Sequence, residues 1–277
     1  MAKTKEDVGG LVRVNGTDIY HEIRGAGPSV LLIPGGGGDG GAVARLAHEL
    51  SREFLVVAYD RRGLSRSPRP NDWLQTSMAE QAEDAAALLR VLGVAPAAVV
   101  GASLGAHVAL ELLLHYPNLV RGASLLDPGP LDSAIPDRRQ RMVLPEPARA
   151  AMARGDSAAA FEALLRDLAL WDAVDPATRQ RLLGNARLFF SHENPLLQSY
   201  EPDGALLRAN RMPVQVGVGN DTPPLFREMA EWLASRLHVR AETYAGGHVA
   251  TATHPDGVVK VIGPFLHLHA GKSAIRG

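Results

Sequence analysis

Apolar positions along this chain fall into short unbroken runs, and the stretches between them carry either helical periodicity or clusters of glycine, proline and aspartate. Val30-Leu31-Leu32-Ile33 is short, branched and apolar throughout, which predicts a strand buried on both faces. The runs Leu55 to Tyr59, Ala97 to Val100, Val120 to Leu126, Val214 to Val218 and Val239 to Tyr244 predict further strands. Leu11 to Val14 and Ile19 to Ile23 alternate and are joined by Asn15-Gly16, a preferred two-residue turn, so they predict a hairpin. Helices are predicted over Ala42 to Leu50, Ser77 to Leu92, Ala106 to His115, Leu225 to Leu237 and Pro255 to His269. The second of these places Met78, Ala82, Ala85, Leu88, Leu89 and Leu92 on one face and ends at Gly93. The third is apolar nearly all round and stops at Tyr116-Pro117.

Between Leu131 and Arg211 the alternation of strand and helix lapses. Glu146 to Arg154, Ser157 to Trp171 and Pro176 to Phe190 predict helices, and the chain then loosens through His192-Glu193-Asn194-Pro195 and Glu201-Pro202-Asp203-Gly204. A strandless stretch set between two strands predicts a helical lid, residues 131–210, inserted into a core made of 1–130 and 211–277. Arg138, Arg139 and Arg141 are expected on a solvated helix face, and Trp171, Phe189 and Phe190 in the lid's own core.

Composition narrows the class. The 277 residues are 46% hydrophobic and 21% charged, enough for a substantial single core. A formal net charge of -1 gives no electrostatic reason to expect nucleic acid or an anionic membrane as partner. The absence of cysteine excludes disulfides, thiolate metal sites and a cysteine nucleophile. Met1 to Asp7 is polar with no hydrophobic segment behind its lysines, and no apolar run approaches the roughly 20 residues needed to cross a bilayer, so the expected compartment is the cytoplasm. The tail from Gly271 to Gly277 is expected to fray.

Candidate chemistry centres on Gly101-Ala102-Ser103-Leu104-Gly105, a G-x-S-x-G pattern between a predicted strand and a predicted helix. A serine on so sharp a turn is strained and tolerates only small neighbours, and its hydroxyl is exposed above the sheet edge. The amide of Leu104, opening the helix, can donate to an oxyanion. The same pattern also describes a serine that merely caps a helix. A second glycine-rich loop, Pro34-Gly35-Gly36-Gly37-Gly38-Asp39-Gly40-Gly41, follows the Val30 strand. That loop, the helix after it and a strand ending in Asp60 also fit a dinucleotide site in an NAD(P)-dependent oxidoreductase, with Asp60 holding a ribose. The preceding hairpin is unusual for that class, and no tyrosine has a lysine four residues later. Asp60-Arg61-Arg62-Gly63 reads as a structural turn, whereas His248, after Gly246-Gly247 at the end of the last strand, is not placed as a packing histidine usually is.

Taken in order, these features resemble the α/β-hydrolase fold over nearly the whole chain: the glycine loop, the Asp60 turn, the serine elbow, a lid, an acid, and Gly246-Gly247-His248. The resemblance implies a mostly parallel eight-stranded sheet flanked by helices, and a Ser103 nucleophile activated by His248 and oriented by a carboxylate. It implies an oxyanion hole from the amides of Leu104 and Gly36, although relatives often carry His-Gly where this chain has Pro34-Gly35. The acid is Asp221, in the commoner position, or Asp127, as in zearalenone-type lactonases and some haloalkane dehalogenases. A serine at the elbow argues against epoxide hydrolysis and dehalogenation and leaves acyl chemistry. Leu112 to Pro117 and Thr253-His254-Pro255-Asp256 are similar to the zearalenone-lactonase branch and point to an ester or lactone of a hydrophobic small molecule. A carbon-carbon bond hydrolase and a non-hydrolytic binding protein on the same fold stay open. The resemblance implies no cofactor and no metal, and the sequence is silent on oligomeric state.

Overall fold

The computed structural model describes residues 8–71 and 73–271, so the expectations for the first seven residues and for the tail beyond Gly271 lie outside the described residues. An eight-stranded sheet runs in the order β1-β2-β4-β3-β5-β6-β7-β8. Its strands are β1 (Val8–Val14), β2 (Thr17–Arg24), β3 (Ser29–Ile33), β4 (Leu55–Tyr59), β5 (Ala97–Ala102), β6 (Val120–Leu126), β7 (Val214–Gly219) and β8 (Ala241–Tyr244). The first two form the predicted hairpin, β2 pairs antiparallel with β4, and every later pairing is parallel. β8 starts two residues later than its apolar run, because the Val239 amide still donates to Ala234 O at the end of the preceding helix.

Strand period and helical period meet in two apolar layers. Leu31, Ile33, Val57, Tyr59 and Val99 face the helices α2 (Met78–Val91), α3 (Leu104–His115) and, further along, α10 (Pro224–Arg236). The alternate residues Val30, Leu32, Val56, Ala58, Ala98 and Val100 face α1 (Ala44–Leu50) and α12 (Pro255–His269). Apolar residues on both faces of the strands are what a parallel sheet covered by two helical layers requires. The short α11 (Ala250–Thr253) precedes α12.

Between β6 and β7 come α4 (Arg138–Arg141), α5 (Glu146–Ala153), α6 (Ser157–Asp167), α7 (Pro176–Leu188), α8 (Asn194–Ser199) and α9 (Gly204–Ala209). Three local expectations are corrected here. The predicted helix to Trp171 ends at Asp167, with Ala169 at φ 59° and a single 3-10 turn over Trp171–Ala173. The stretch read as loosening after Phe190 is instead a π-helical turn over Phe189–Glu193 followed by α8 and α9. Residues within the stretches read as loosening start helices: Pro195 lies in the first turn of α8, and the Asp203 carboxylate caps α9 through the amides of Ala205 and Leu206. Arg138 is not solvated but buried, paired with Asp132 at 3.1 Å, while Arg139 remains exposed.

Candidate active site

Parallel strands deliver their C-terminal ends to one edge of the sheet, and the loops after β3, β5, β6, β7 and β8 all leave that edge. Ser103 follows β5 at φ 55° and ψ −121°, a backbone conformation that L-residues rarely adopt. Its amide donates to the Leu126 carbonyl at the end of β6, 2.9 Å away. The turn is closed by lack of bulk: a Cβ on Gly101 would lie 2.2 Å from Gly105 O, and one on Gly105 2.3 Å from Ile33 O. Sequence therefore fixes the elbow through two close backbone approaches that only glycine permits.

His248 arrives from the loop after β8, with Nε2 3.1 Å from Ser103 Oγ. Burial pushes its imidazole down to about 4, so it is neutral at pH 7, and in the tautomer that carries its proton on Nδ1 the Nε2 atom accepts from the serine hydroxyl. The Phe226 ring, from α10, packs on it with centroids 4.0 Å apart. Nδ1 is buried and has no hydrogen-bond partner among the described residues.

Neither candidate carboxylate bonds that nitrogen. Asp127, just after β6, is 1% exposed and lies in a closed cradle. Its oxygens accept from Thr222 Oγ1 at 2.7 Å, from the Gly219 amide at 3.3 Å and from the Tyr244 hydroxyl at a short contact. Burial outweighs these donors and pushes the carboxyl up to about 6. Asp221 is exposed, and its main chain is tied to the histidine loop by a 3.0 Å bond from its amide to Gly246 O.

The glycine loop lies directly over the elbow. A Cβ on Gly35 would stand 3.1 Å from Ser103 Cβ, and one on Gly36 would stand 3.8 Å from Leu104 Cβ. Gly36 and Leu104, the two expected oxyanion donors, are thus brought together beside the serine. Leu104 opens α3, where the first amides have no partner within the helix. Asp60, the acid a dinucleotide would need, is fully buried and accepts instead from the Gly40 amide at 2.9 Å and from Arg66 Nε at 2.7 Å. It holds the glycine loop and leaves no carboxylate for a ribose.

A cavity of about 560 Å³ includes Ser103, Leu104 and His248 in its wall, with Phe161, Phe189 and Leu197 from the inserted helices. Among the described residues no group of three or more His, Asp or Glu is placed to hold a metal ion. No helix among them is long and apolar enough to cross a membrane.

Several residues at this site carried no sequence signal. Arg61, read as a structural arginine, forms a buried ion pair with Glu193 of the π-helical turn, and Asn185 Nδ2 donates to Gly37 O at 2.9 Å. Phe189 and Phe190 pack with Phe161 of the inserted helices, and Phe189 also lies against Gly36 in the cavity wall. A buried glutamate inside a polar run such as Ser191-His192-Glu193-Asn194 looks like any surface acid.

Residues 28–237 match the family described as alpha/beta hydrolase fold. The zearalenone hydrolase of Cladophialophora bantiana is 27% identical over 261 residues, covering 91% of this chain and 94% of that protein. The uncharacterized hydrolase YraK of Bacillus subtilis is 39% identical over 111 residues, and the match spans about two fifths of its length, 41%, and 40% of this chain. Among solved structures, a thermophilic esterase from Thermogutta terrifontis matches with a TM-score of 0.74 at 21% identity, over 95% of this chain and 99% of that one. At that identity the likeness speaks to the fold.

Proposed function

The chain belongs to the alpha/beta hydrolase fold family, and from that premise we propose that it is a serine hydrolase that cleaves a carboxylic ester or lactone through an acyl-enzyme on Ser103. The observation that carries this reading is the 3.1 Å contact between Ser103 Oγ and a neutral, half-buried His248 at a strained elbow beside the glycine loop. Ser103 Oγ attacks the carbonyl carbon as its proton passes to His248 Nε2. The charge that develops on the carbonyl oxygen is received by the amides of Leu104 and Gly36, and each such donor lowers the barrier by roughly 3 kcal/mol. His248 then protonates the departing oxygen, and afterwards takes a proton from the water that releases the acyl group.

Asp127 is the carboxylate that supports the imidazolium. A charge acts strongly on the imidazole only where water does not screen it, and Asp127 is buried whereas Asp221 is exposed. Its bond from Tyr244 also fixes the end of β8, the strand that delivers His248. The helices of 131–210 serve as a lid over a hydrophobic acyl substrate, in keeping with Phe161, Phe189 and Leu197 in the cavity wall. Similarity to a zearalenone hydrolase over most of both chains supports a lactone or related ester as the bond cleaved.

Labelling with a fluorophosphonate followed by peptide mass spectrometry tests this directly. The expected result is one adduct on Ser103, with p-nitrophenyl ester turnover abolished in Ser103→Ala. Folded protein that leaves Ser103 unlabelled and turns over no ester would favour a binding protein on the same fold.

A further inference from the structure

The glycine loop that supplies the Gly36 amide is held from both sides by charged side chains. Arg61 Nη2 donates to the Gly35 carbonyl at 2.6 Å, and its Nη1 donates to Gln81 Oε1 at 2.7 Å and to Glu193. The other oxygen of Glu193 accepts from the Gly37 amide at 2.5 Å. Arg61 and Glu193 are 1% and 2% exposed, the first in the turn after β4 and the second in the inserted helices. The Gly35 carbonyl and the Gly36 amide belong to one planar peptide unit, so fixing the carbonyl fixes the direction of the N–H. The Gly37 amide belongs to the next unit, so the pair pins both peptide planes that flank the Gly36 Cα. Glycine would otherwise leave those planes free to turn.

We propose that Arg61 and Glu193 form a positioning pair that aims the Gly36 amide at the substrate oxygen and makes the oxyanion hole depend on the docking of the inserted helices. This inference rests on the serine-hydrolase reading above. The two charges have distinct tasks. Arg61 polarises the Gly35–Gly36 peptide and strengthens its N–H as a donor. It also neutralises Glu193, whose carboxylate would otherwise oppose negative charge on the substrate oxygen a few atoms away. The remaining ties of the inserted helices to the loop, Arg181 to Asp39 at 2.5 Å and Asn185 to Gly37 O at 2.9 Å, lie further along and do not touch either peptide bond of Gly36.

The test compares Arg61→Gln and Glu193→Gln with the wild-type protein by steady-state kinetics on p-nitrophenyl butyrate. Inhibition by a trifluoromethyl ketone, whose hemiketal oxyanion needs the hole, is measured beside it, with hydrogen exchange over residues 35–38. A misplaced donor costs on the order of 10- to 100-fold in kcat. Arg61→Gln is expected to show that loss with KM within about threefold, a ketone affinity lowered by a similar factor, and faster exchange over 35–38. Glu193→Gln keeps an acceptor for the Gly37 amide and is expected to lose less. Unchanged kcat, ketone affinity and exchange overturn the inference, and so does a rise in kcat in Glu193→Gln, which would make Glu193 a plug of the hole. A loss confined to thermal stability, with kcat per folded protein intact, overturns it as well. Should Arg61→Gln fail to fold, the isosteric Glu193→Gln decides alone. Exchange that responds in a protein whose wild type neither labels at Ser103 nor hydrolyses esters identifies the serine-hydrolase reading as the one that failed.

Discussion

The Phe226 ring covers one face of the His248 imidazole, with centroids 4.0 Å apart, and both line the cavity. Burial lowers the imidazole from 6.5 to about 4, a drop worth roughly 3 kcal/mol in favour of the neutral base. Phe226→Ala opens that face to water and should return part of the drop, raising the pKa by about one unit. Phe226→Leu keeps the face covered by apolar atoms and should move it by less than about half a unit. The assay is the histidine Cε1–H chemical shift titrated by NMR, assigned with His248→Gln, and the acid limb of kcat/KM should move upward with it. Because the folded protein binds this proton less readily than the unfolded chain, His248 also removes stability as pH falls from about 6.5 to about 4, and Phe226→Ala should narrow that window. Phe226 is 8% exposed, so its truncation is expected to cost about 3 kcal/mol or more of stability, and thermal melts must accompany the titration. A wild-type His248 that titrates near 6.5, or a Phe226→Ala protein in which it stays near 4, would refute the claim that apolar burial at this contact keeps the base neutral.

Three further outcomes are expected. Asp127→Asn should lower kcat by roughly 10³-fold or more, while Asp221→Asn stays within a few-fold; the reverse order on the same p-nitrophenyl ester would move the supporting role to Asp221. Gly105→Ala places a Cβ 2.3 Å from Ile33 O and 2.6 Å from Pro34 O, both backbone, and should destabilise by roughly 1–3 kcal/mol or more, read as a lower melting temperature. His267 is held above 6.5 by the Gly263 carbonyl and by Glu53, so its small contribution to stability is present below about 6.5 and lost as pH rises through the folded value. Glu53→Gln should therefore lower the melting temperature only at acidic pH.

Much of the fold was legible because the strands are buried on both faces. Val30 to Ile33 reads as a covered strand by its length and branching, and a hairpin followed by alternating strands and helices then leaves few topologies. The approach of Ser103 to His248 was legible for the same reason: the serine directly follows β5, the histidine lies in the loop after β8, and the ends of parallel strands meet at one sheet edge. The inserted region was read less well. Asn194-Pro195 and Asp203-Gly204 are turn formers by composition, but at the first turn of a helix the same residues start it, and only the neighbours decide between the two. Arg61 and Glu193 were invisible because they are 132 positions apart and meet only when the inserted helices dock on the glycine loop. The choice between Asp127 and Asp221 depends on burial and on the partners of each carboxylate, which no spacing in the chain records.

The central claim is a covalent bond between substrate and Ser103. Enzyme mixed with excess p-nitrophenyl acetate, quenched in acid during turnover and digested should yield the Ser103 peptide carrying one acetyl group. His248→Gln should leave that peptide unmodified over the same interval. Sustained hydrolysis with Ser103 unacetylated, or with activity retained in Ser103→Ala, would contradict the account.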